Sequence, residues 1–179
     1  MKKLLILVAV ILGVSTVSAQ KFARINSQDI VVAMPEFNEA QKNLELFGKD
    51  LQEQMEQIQV EFNNKLADFQ KNQATMAASI KQMKQQELEQ LQQRFAEFQQ
   101  IAQQDFQKKQ QELLEPLQEK AQNAINKVAK ANGYIAVIDT SVPSFAYVDE
   151  AQVVDIAPLV KKELGIAVAA TTEKPAGKK

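Results

Sequence analysis

A long segment with the composition and periodicity of an amphipathic helix constrains the fold of this chain more than any other feature. From Glu36 to Ala131 the sequence is rich in Gln, Glu, Lys and Ala, and it contains one glycine, Gly48, and one proline, Pro116. Apolar residues recur there at alternating spacings of three and four, which places them on one stripe of an α-helix. A second helix normally covers such a stripe. We assign the following residues to this helix–helix seam: Phe37, Leu44, Leu51, Phe62, Phe69, Phe95, Phe98 and Phe106.

The length of this segment favours a hairpin over a single rod. One straight helix would extend about 140 Å at 1.5 Å per residue. It would separate the β segments that precede it from those that follow, and a lone strand has unpaired backbone groups. A hairpin brings both ends together, with arms of about 65–70 Å. We expect its tip near residues 77–84, because the apolar stripe is weakest between Ala74 and Met83.

Short β segments flank the helical segment. Phe22 to Ile25 alternates apolar and polar residues as a strand does, and Tyr134 to Ile138 has the composition of a buried strand. Phe145 to Val148 is predicted to be a further strand beyond a loop. Gly133 suits the left-handed backbone that ends many helices.

Two short helices complete the predicted body. Ser27 is expected to cap a turn that includes Val31, and Asp155 a helix from Ile156 to Leu164. Residues 20–35 and 117–166 then form a small β body that carries the arm of residues 36–116, so the fold class is α+β, mainly α. A body of about 60 residues buries too little apolar surface alone, which favours oligomerisation. The body residues that we single out are Phe22, Ile25, Tyr134, Val137, Phe145, Tyr147 and Asp155.

The first segment has the features of an export signal. Lys2 and Lys3 precede an apolar run, Leu4 to Val14, that is shorter than the roughly 20 residues needed to span a bilayer. Small residues lead up to Ala19, so we expect residues 1–19 to be a signal peptide cleaved after Ala19. At the other end, residues 167–179 are small and polar, and we expect a disordered tail.

Composition excludes several classes of function. The signal contains two of the 21 basic residues and none of the 22 acidic ones, so the mature chain has 19 against 22, a net charge of −3. A chain with this charge balance lacks the excess of basic residues that is typical of nucleic-acid-binding proteins. The chain has no Cys and no His, which removes disulfides and the commonest general base and metal ligand. We expect no catalytic residue, no metal, no cofactor and no nucleic-acid partner.

Several short pieces of the sequence follow one another in a characteristic order: Phe22-Ala23-Arg24-Ile25-Asn26, Met34-Pro35-Glu36-Phe37, Glu115-Pro116-Leu117, Ala124-Ile125-Asn126-Lys127-Val128-Ala129, Gly133-Tyr134-Ile135-Ala136-Val137-Ile138-Asp139, Phe145-Ala146-Tyr147-Val148 and Val154-Asp155-Ile156. The order of these pieces resembles the Skp/OmpH family of periplasmic chaperones. The resemblance extends over nearly the whole chain between the signal and the tail.

The resemblance implies a non-enzymatic homotrimer shaped like a jellyfish, in which three helical hairpins hang from a β body around a central cavity. Such a protein holds unfolded outer-membrane proteins in the periplasm without ATP. The best-known member of the family is strongly basic, whereas this chain is slightly acidic. The resemblance therefore implies at most a weak attraction to lipopolysaccharide or to the membrane surface.

Residues near the predicted tip are candidates for contact with such clients. Met76, Ile80 and Met83 lie off the seam, and flexible Met side chains adapt to varied apolar partners. Lys65, Lys71, Lys81 and Lys84 make the same region basic, with only Asp68 opposing them, which would attract acidic clients or a membrane surface. The alternative interpretation of these lysines is an ordinary solvated helix surface.

Two other functions remain open from the sequence. A structural coiled-coil spacer of the cell envelope would share the helical periodicity but would not explain strands at both ends. An envelope enzyme is disfavoured, because no nucleophile and base have a spacing that would support catalysis.

Overall fold

The computed structural model describes residues 21–142, 145–149 and 151–167. The expected signal peptide and the tail from residue 168 lie outside these ranges. The described chain divides into two compact units: a hairpin unit, Val31–Lys120, and a sheet unit made of the described residues up to Ile30 and from Ala121 onward. In chain order the elements are β1 (Lys21–Ile25), α1 (Ser27–Val32), α2 (Pro35–Asn72), α3 (Ala78–Asn132), β2 (Tyr134–Asp139), β3 (Val154–Asp155) and α4 (Ala157–Glu163).

The hairpin unit is built from α2 and the greater part of α3. As residue numbers increase along α2, the numbers of the residues that they contact on α3 decrease. Glu36 forms an ion pair with Lys120, and Glu61 with Arg94, while Lys65 pairs with Glu87 nearer the connection. This order defines an antiparallel helical hairpin and confirms the mainly helical α+β fold expected from the sequence.

The connection between the helices comes earlier than the sequence predicted. It consists of residues 73–77, so that residues 78–84 of the predicted tip belong to α3 instead. The end of α2 is fixed by polar groups: both the backbone N–H and the hydroxyl of Thr75 donate to the Asn72 carbonyl. The amide of Lys81 then donates to the Ala77 carbonyl and begins α3. These hydrogen bonds satisfy backbone groups that the ends of the two helices would otherwise leave unpaired.

The sheet unit contains a three-stranded parallel sheet in the order β2-β1-β3. Its central strand, β1, alternates buried and less buried side chains, with Ala23 and Ile25 buried as the period of a strand requires. The helical hairpin lies between β1 and β2 in the sequence, as a connection between parallel strands must be long. Gly133, with φ of +71°, ends α3 in the left-handed conformation that the sequence predicted.

The predicted strand Phe145–Val148 was wrong. The described part of this segment is irregular, and its large side chains Phe145 and Tyr147 are exposed. The reason is competition for the edges of β1. β2 occupies one edge, and Val154–Asp155 pairs with Ala23 and Arg24 on the other. The segment therefore has no free edge of the central strand on which to form ladder hydrogen bonds.

Aliphatic residues form the centre of the sheet unit. The N–H of Ile156 donates to the Arg24 carbonyl at 3.1 Å, which places α4 directly after the sheet pairing. Asp155 Oδ1 accepts the Ala157 N–H at 2.9 Å. The N-cap of α4 is nevertheless Ile156, without a side-chain cap hydrogen bond, so the prediction that Asp155 caps a helix beginning at Ile156 was wrong. Among the body residues expected from the sequence, Ile25 is buried and Tyr134 and Val137 are half-buried, whereas Phe22 is exposed. The buried aliphatic residues are Ile25, Ile30, Ile125, Val128, Ile156 and Val160.

A polar clasp joins the end of β2 to the start of α1. Asp139 Oδ2 accepts the Ser27 hydroxyl at 2.5 Å, and Asp139 Oδ1 accepts the Ser27 N–H at 3.1 Å and the Ser141 hydroxyl at 2.8 Å. Ser27 is thus engaged with β2 and does not cap α1 as predicted; Asn26 Oδ1 accepts the Asp29 N–H instead. The clasp ties together residues 112 positions apart in the sequence.

This clasp predicts a dependence of stability on pH. Burial by itself raises the pKa of Asp139, but the bonds from Ser27 and Ser141 outweigh it and bring the pKa below its usual value. Since the folded pKa lies below the unfolded one, the stabilisation is present above the unfolded pKa and is lost as the pH falls through the folded pKa. We expect Asp139→Asn to lower the free energy of unfolding by about 1–2 kcal/mol at pH 7.

The measurement is urea unfolding of both proteins at pH 7 and pH 3. The difference between them should shrink at pH 3, where the wild-type carboxylate is increasingly protonated. An equal difference at both pH values would show that Asp139 acts through packing rather than through its charge.

Candidate functional site

The helical hairpin buries its seam only in part. Ile58 and Leu91 are each 6% exposed, and Phe69 is also buried. Most of the residues that we assigned to the seam are half-buried, while Phe106 lies at the edge of exposure. The half-buried seam residues are Phe37, Leu44, Leu51, Phe62, Phe95 and Phe98. Two helices alone therefore leave much of their apolar stripe in contact with solvent.

Phe106 has a specific place in this seam. Its ring lies over the backbone of Gly48, because a Cβ atom added at Gly48 would stand 3.1 Å from the ring. The only glycine of the predicted helical segment thus provides room for an aromatic side chain of the opposite helix. The sequence did not reveal this pairing, since neither residue indicates its partner.

Large apolar side chains also lie outside the seam of the hairpin unit. Val60 is 48% exposed and Ile101 53% exposed, and Leu46 is similar. Ile80 and Met83, two of the residues proposed near the tip, are exposed in the first turns of α3, and Met76 in the connection is half-buried. Solitary exposed apolar residues are normal on protein surfaces, but a helical arm that repeats them along its length offers many weak contacts.

A crevice opens between the helices near the middle of the hairpin. It has a volume of about 260 Å³ and is lined by Ile58, Phe62, Leu91 and Phe95, with Gln59 and Gln92 also in its walls. None of these six side chains is charged. A larger hollow of about 650 Å³ lies on α2 alone. Val60 and several glutamates line it, and it is wide open to solvent.

The basic region near the tip is less positive than the sequence predicted. Lys65 pairs with Glu87, and its Nζ is 3.7 Å from Glu61 Oε1; Lys84 Nζ is 3.3 Å from Glu87 Oε2. The hydrogen bond from Lys65, followed by that from Lys84, lowers the pKa of Glu87. The expectation that only Asp68 opposes the lysines was therefore wrong, because helix pairing brings Glu87 of α3 to Lys65 of α2.

Two of the four lysines differ from the others in this respect. Lys65 and Lys84 belong to a charge network that spans the hairpin, whereas Lys71 lies exposed at the end of α2 and Lys81 lies in the first turn of α3. In the described part of the chain, no three His, Cys, Asp or Glu side chains are grouped so that they could hold a metal ion. No helix there is long and apolar enough to cross a membrane.

Exposed apolar side chains form a second group in the sheet unit. Ile135 on β2, Phe22 on β1 and Val154 on β3 are exposed, as are Phe145 and Tyr147. Tyr147 has 81% of its surface exposed. These exposed apolar side chains are available for contact with another chain.

Comparisons with known proteins agree on one family. The family model described as "Outer membrane protein (OmpH-like)" matches residues 21–164, which is well over half of the chain. A crystal structure from Caulobacter crescentus CB15, of a protein named as an OmpH-like outer membrane chaperone, superposes with a TM-score of 0.69. The match covers 82% of this chain and 85% of that one, at 14% sequence identity. At this identity it shows a shared fold. No curated protein sequence matches significantly.

Proposed function

The chain belongs to the OmpH-like family of outer membrane proteins, and on this basis we propose that it is an ATP-independent holdase for unfolded outer-membrane proteins in the periplasm. It is a binding protein rather than an enzyme. Its helical hairpins hold a client in a soluble state until a more favourable destination competes for it. Release then needs no nucleotide, only a better binding partner for the client.

The observation that carries this proposal is the incompletely buried helical hairpin. A spacer needs a covered seam and a polar surface, whereas this hairpin exposes Val60, Ile101 and Met83 and leaves its seam half-covered. Many weak apolar contacts along one arm raise the effective concentration of each further contact. They also keep the unpaired edges of client β segments from joining one another.

We further propose that the chain functions as a homotrimer assembled through its sheet unit. This is supported by the exposed apolar side chains of that unit, among them Ile135, Phe145 and Tyr147, and by the small size of the unit. A body of this size gains stability when copies cover one another's apolar surface. Several hairpins would then surround one client. Attraction to lipopolysaccharide or to the membrane surface would be weak, because the mature chain is slightly acidic.

The test of the holdase is the aggregation of a urea-unfolded porin diluted into buffer without nucleotide. We expect light scattering to fall as the mature chain is added, up to one trimer per porin, and to be unchanged by added ATP. A spacer without clients would leave the scattering of the porin unchanged. That result would contradict the proposal.

The lysines near the tip make a separate prediction. Lys71→Gln with Lys81→Gln should weaken porin capture at low salt and have little effect at 0.5 M NaCl, where a Debye length of about 4 Å screens exposed charges. Lys65→Gln with Lys84→Gln removes the partners of Glu87 instead, so we expect a lower melting temperature of the hairpin and a smaller change in capture. Equal salt dependence in both double variants would contradict this division of roles.

A further inference from the structure

The two broad faces of the hairpin differ in chemistry. One face contains the ion pairs that cross between the helices, among them Arg94 Nη1 with Glu61 Oε2 at 3.9 Å. Gln59 lies two positions before Glu61, and Gln92 lies two positions before the arginine. Two residues turn an α-helix by about 200°, so the glutamines lie on the opposite face. They flank the uncharged crevice there.

Glutamine recurs along this opposite face at intervals of seven residues. Gln52 precedes Gln59 by seven residues, and Gln85 and Gln99 lie seven residues on either side of Gln92. Residues seven apart lie on one side of a paired helix. All five are exposed, and we call them the glutamine face. In the antiparallel order of the hairpin, Gln52 is level with Gln99, and Gln59 with Gln92.

We propose that the glutamine face is the client-binding side of the hairpin, where an extended segment of unfolded polypeptide lies across the crevice between Gln59 and Gln92. This inference rests on the proposed holdase function and specifies which surface performs it. The occupant is a neutral stretch of a β segment with an apolar or aromatic side chain that enters the crevice.

The chemistry of glutamine suits an unpaired backbone. Each side-chain amide carries both donor N–H groups and an acceptor carbonyl, the same groups that a peptide backbone presents. An unfolded β segment exposes both kinds of group with no strand to pair them. Gln59 Nε2 donates to Asn63 Oδ1 at 3.1 Å, which steadies that side chain against the helix. A row of amides can therefore pair with backbone groups of any sequence.

The crevice suits an apolar side chain in size and lining. Its volume of about 260 Å³ is below the roughly 300–1,000 Å³ of pockets that enclose a whole drug-sized ligand. Its floor is made of the aliphatic and aromatic seam residues Ile58, Phe62, Leu91 and Phe95. A single inserted side chain would cover seam surface that the two helices leave open. An anionic ligand would find no charged partner in its walls.

The test introduces charge on this face and, as a control, on the other. Gln59→Glu with Gln92→Glu places two carboxylates beside the crevice, and Gln59→Lys with Gln92→Glu places a charge pair there that can bridge the helices. The same two sets of exchanges at Gln57 and Gln90 put identical charges two positions earlier on each helix, about 200° away. The two test positions and the two control positions are all exposed glutamines of the same two helices.

The readout is the affinity of the mature chain for a fluorescently labelled, urea-unfolded porin, with helicity and melting temperature measured by circular dichroism. We expect both Gln59/Gln92 variants to bind about tenfold more weakly, because a client covering the crevice would desolvate the new charges. Both Gln57/Gln90 variants should bind within about twofold of wild type. The Lys–Glu variant introduces no like-charge pair, so a loss of binding in it would not come from repulsion between the two new side chains.

Two results would overturn the inference while leaving the holdase intact. One is that the wild-type chain binds porin and that all four variants bind it with the affinity of wild type. The other is a changed mass of the free protein in the Gln59/Gln92 variants alone, which would identify the face as a contact between copies. A wild-type chain that binds no porin would instead overturn the proposed function itself, and with it this inference.

Discussion

Replacing Ile156 with Ala is expected to lower the free energy of unfolding of the sheet unit by about 2–5 kcal/mol. Ile156 is fully buried and lies between the end of β3 and the start of α4. Truncation removes apolar surface and leaves a cavity that the surrounding secondary structure refills only in part. Small domains have a total stability of only about 5–15 kcal/mol, so this is a large part of the whole.

The measurement is urea unfolding at one fixed protein concentration, because assembly adds to apparent stability. Ile101→Ala is the matched control, since it makes the same exchange at an exposed position of α3. We expect it to change the free energy of unfolding by less than about 0.5 kcal/mol. If the two variants unfold at the same urea concentration, Ile156 does not occupy a core position.

Replacing Ile58 with Asp is expected to open the middle of the hairpin. Ile58 is 6% exposed and shares the crevice with Leu91, so the new carboxylate would be buried without a partner. Such burial costs several kcal/mol unless the group becomes protonated or the structure opens. We expect amide hydrogen exchange to accelerate across residues 51–98 and porin capture to be lost, while the sheet unit keeps its protection.

Val60→Asp provides the control for this variant. It adds the same charge two residues later, on the far side of α2, where Val60 is 48% exposed. We expect its hydrogen exchange and melting temperature to match those of wild type. Equal acceleration in both variants would mean that any added charge loosens α2, and that the pairing of Ile58 with Leu91 does not hold the hairpin closed.

The hairpin could be predicted from the sequence because the apolar spacing of an amphipathic helix is repeated many times along it. A stripe of apolar residues over dozens of positions, together with β segments at both ends, leaves few ways to pair strands. The end of α2 was less predictable. It depends on the two hydrogen bonds of Thr75 with the Asn72 carbonyl, and such local chemistry leaves little trace in periodicity.

Two other errors in the sequence-based prediction share a physical origin, which is that residues distant in the sequence are neighbours in the fold. Phe145–Val148 has the composition of a strand, but Val154–Asp155 occupies the available edge of β1. The lysines of the tip seemed free because Glu87 is distant from Lys65 in the sequence and adjacent to it in space. The glutamine face was equally hidden, since it emerges only when the antiparallel order of α2 and α3 is known.

The most direct test of the central claim is light scattering coupled to size-exclusion chromatography of the mature chain, alone and after mixing with urea-unfolded porin. The holdase proposal predicts a free species with the mass of three copies and, after mixing, one soluble species with the mass of that trimer plus one porin. Porin that precipitates or elutes apart from a chain of unchanged mass would contradict it, and would favour a structural spacer.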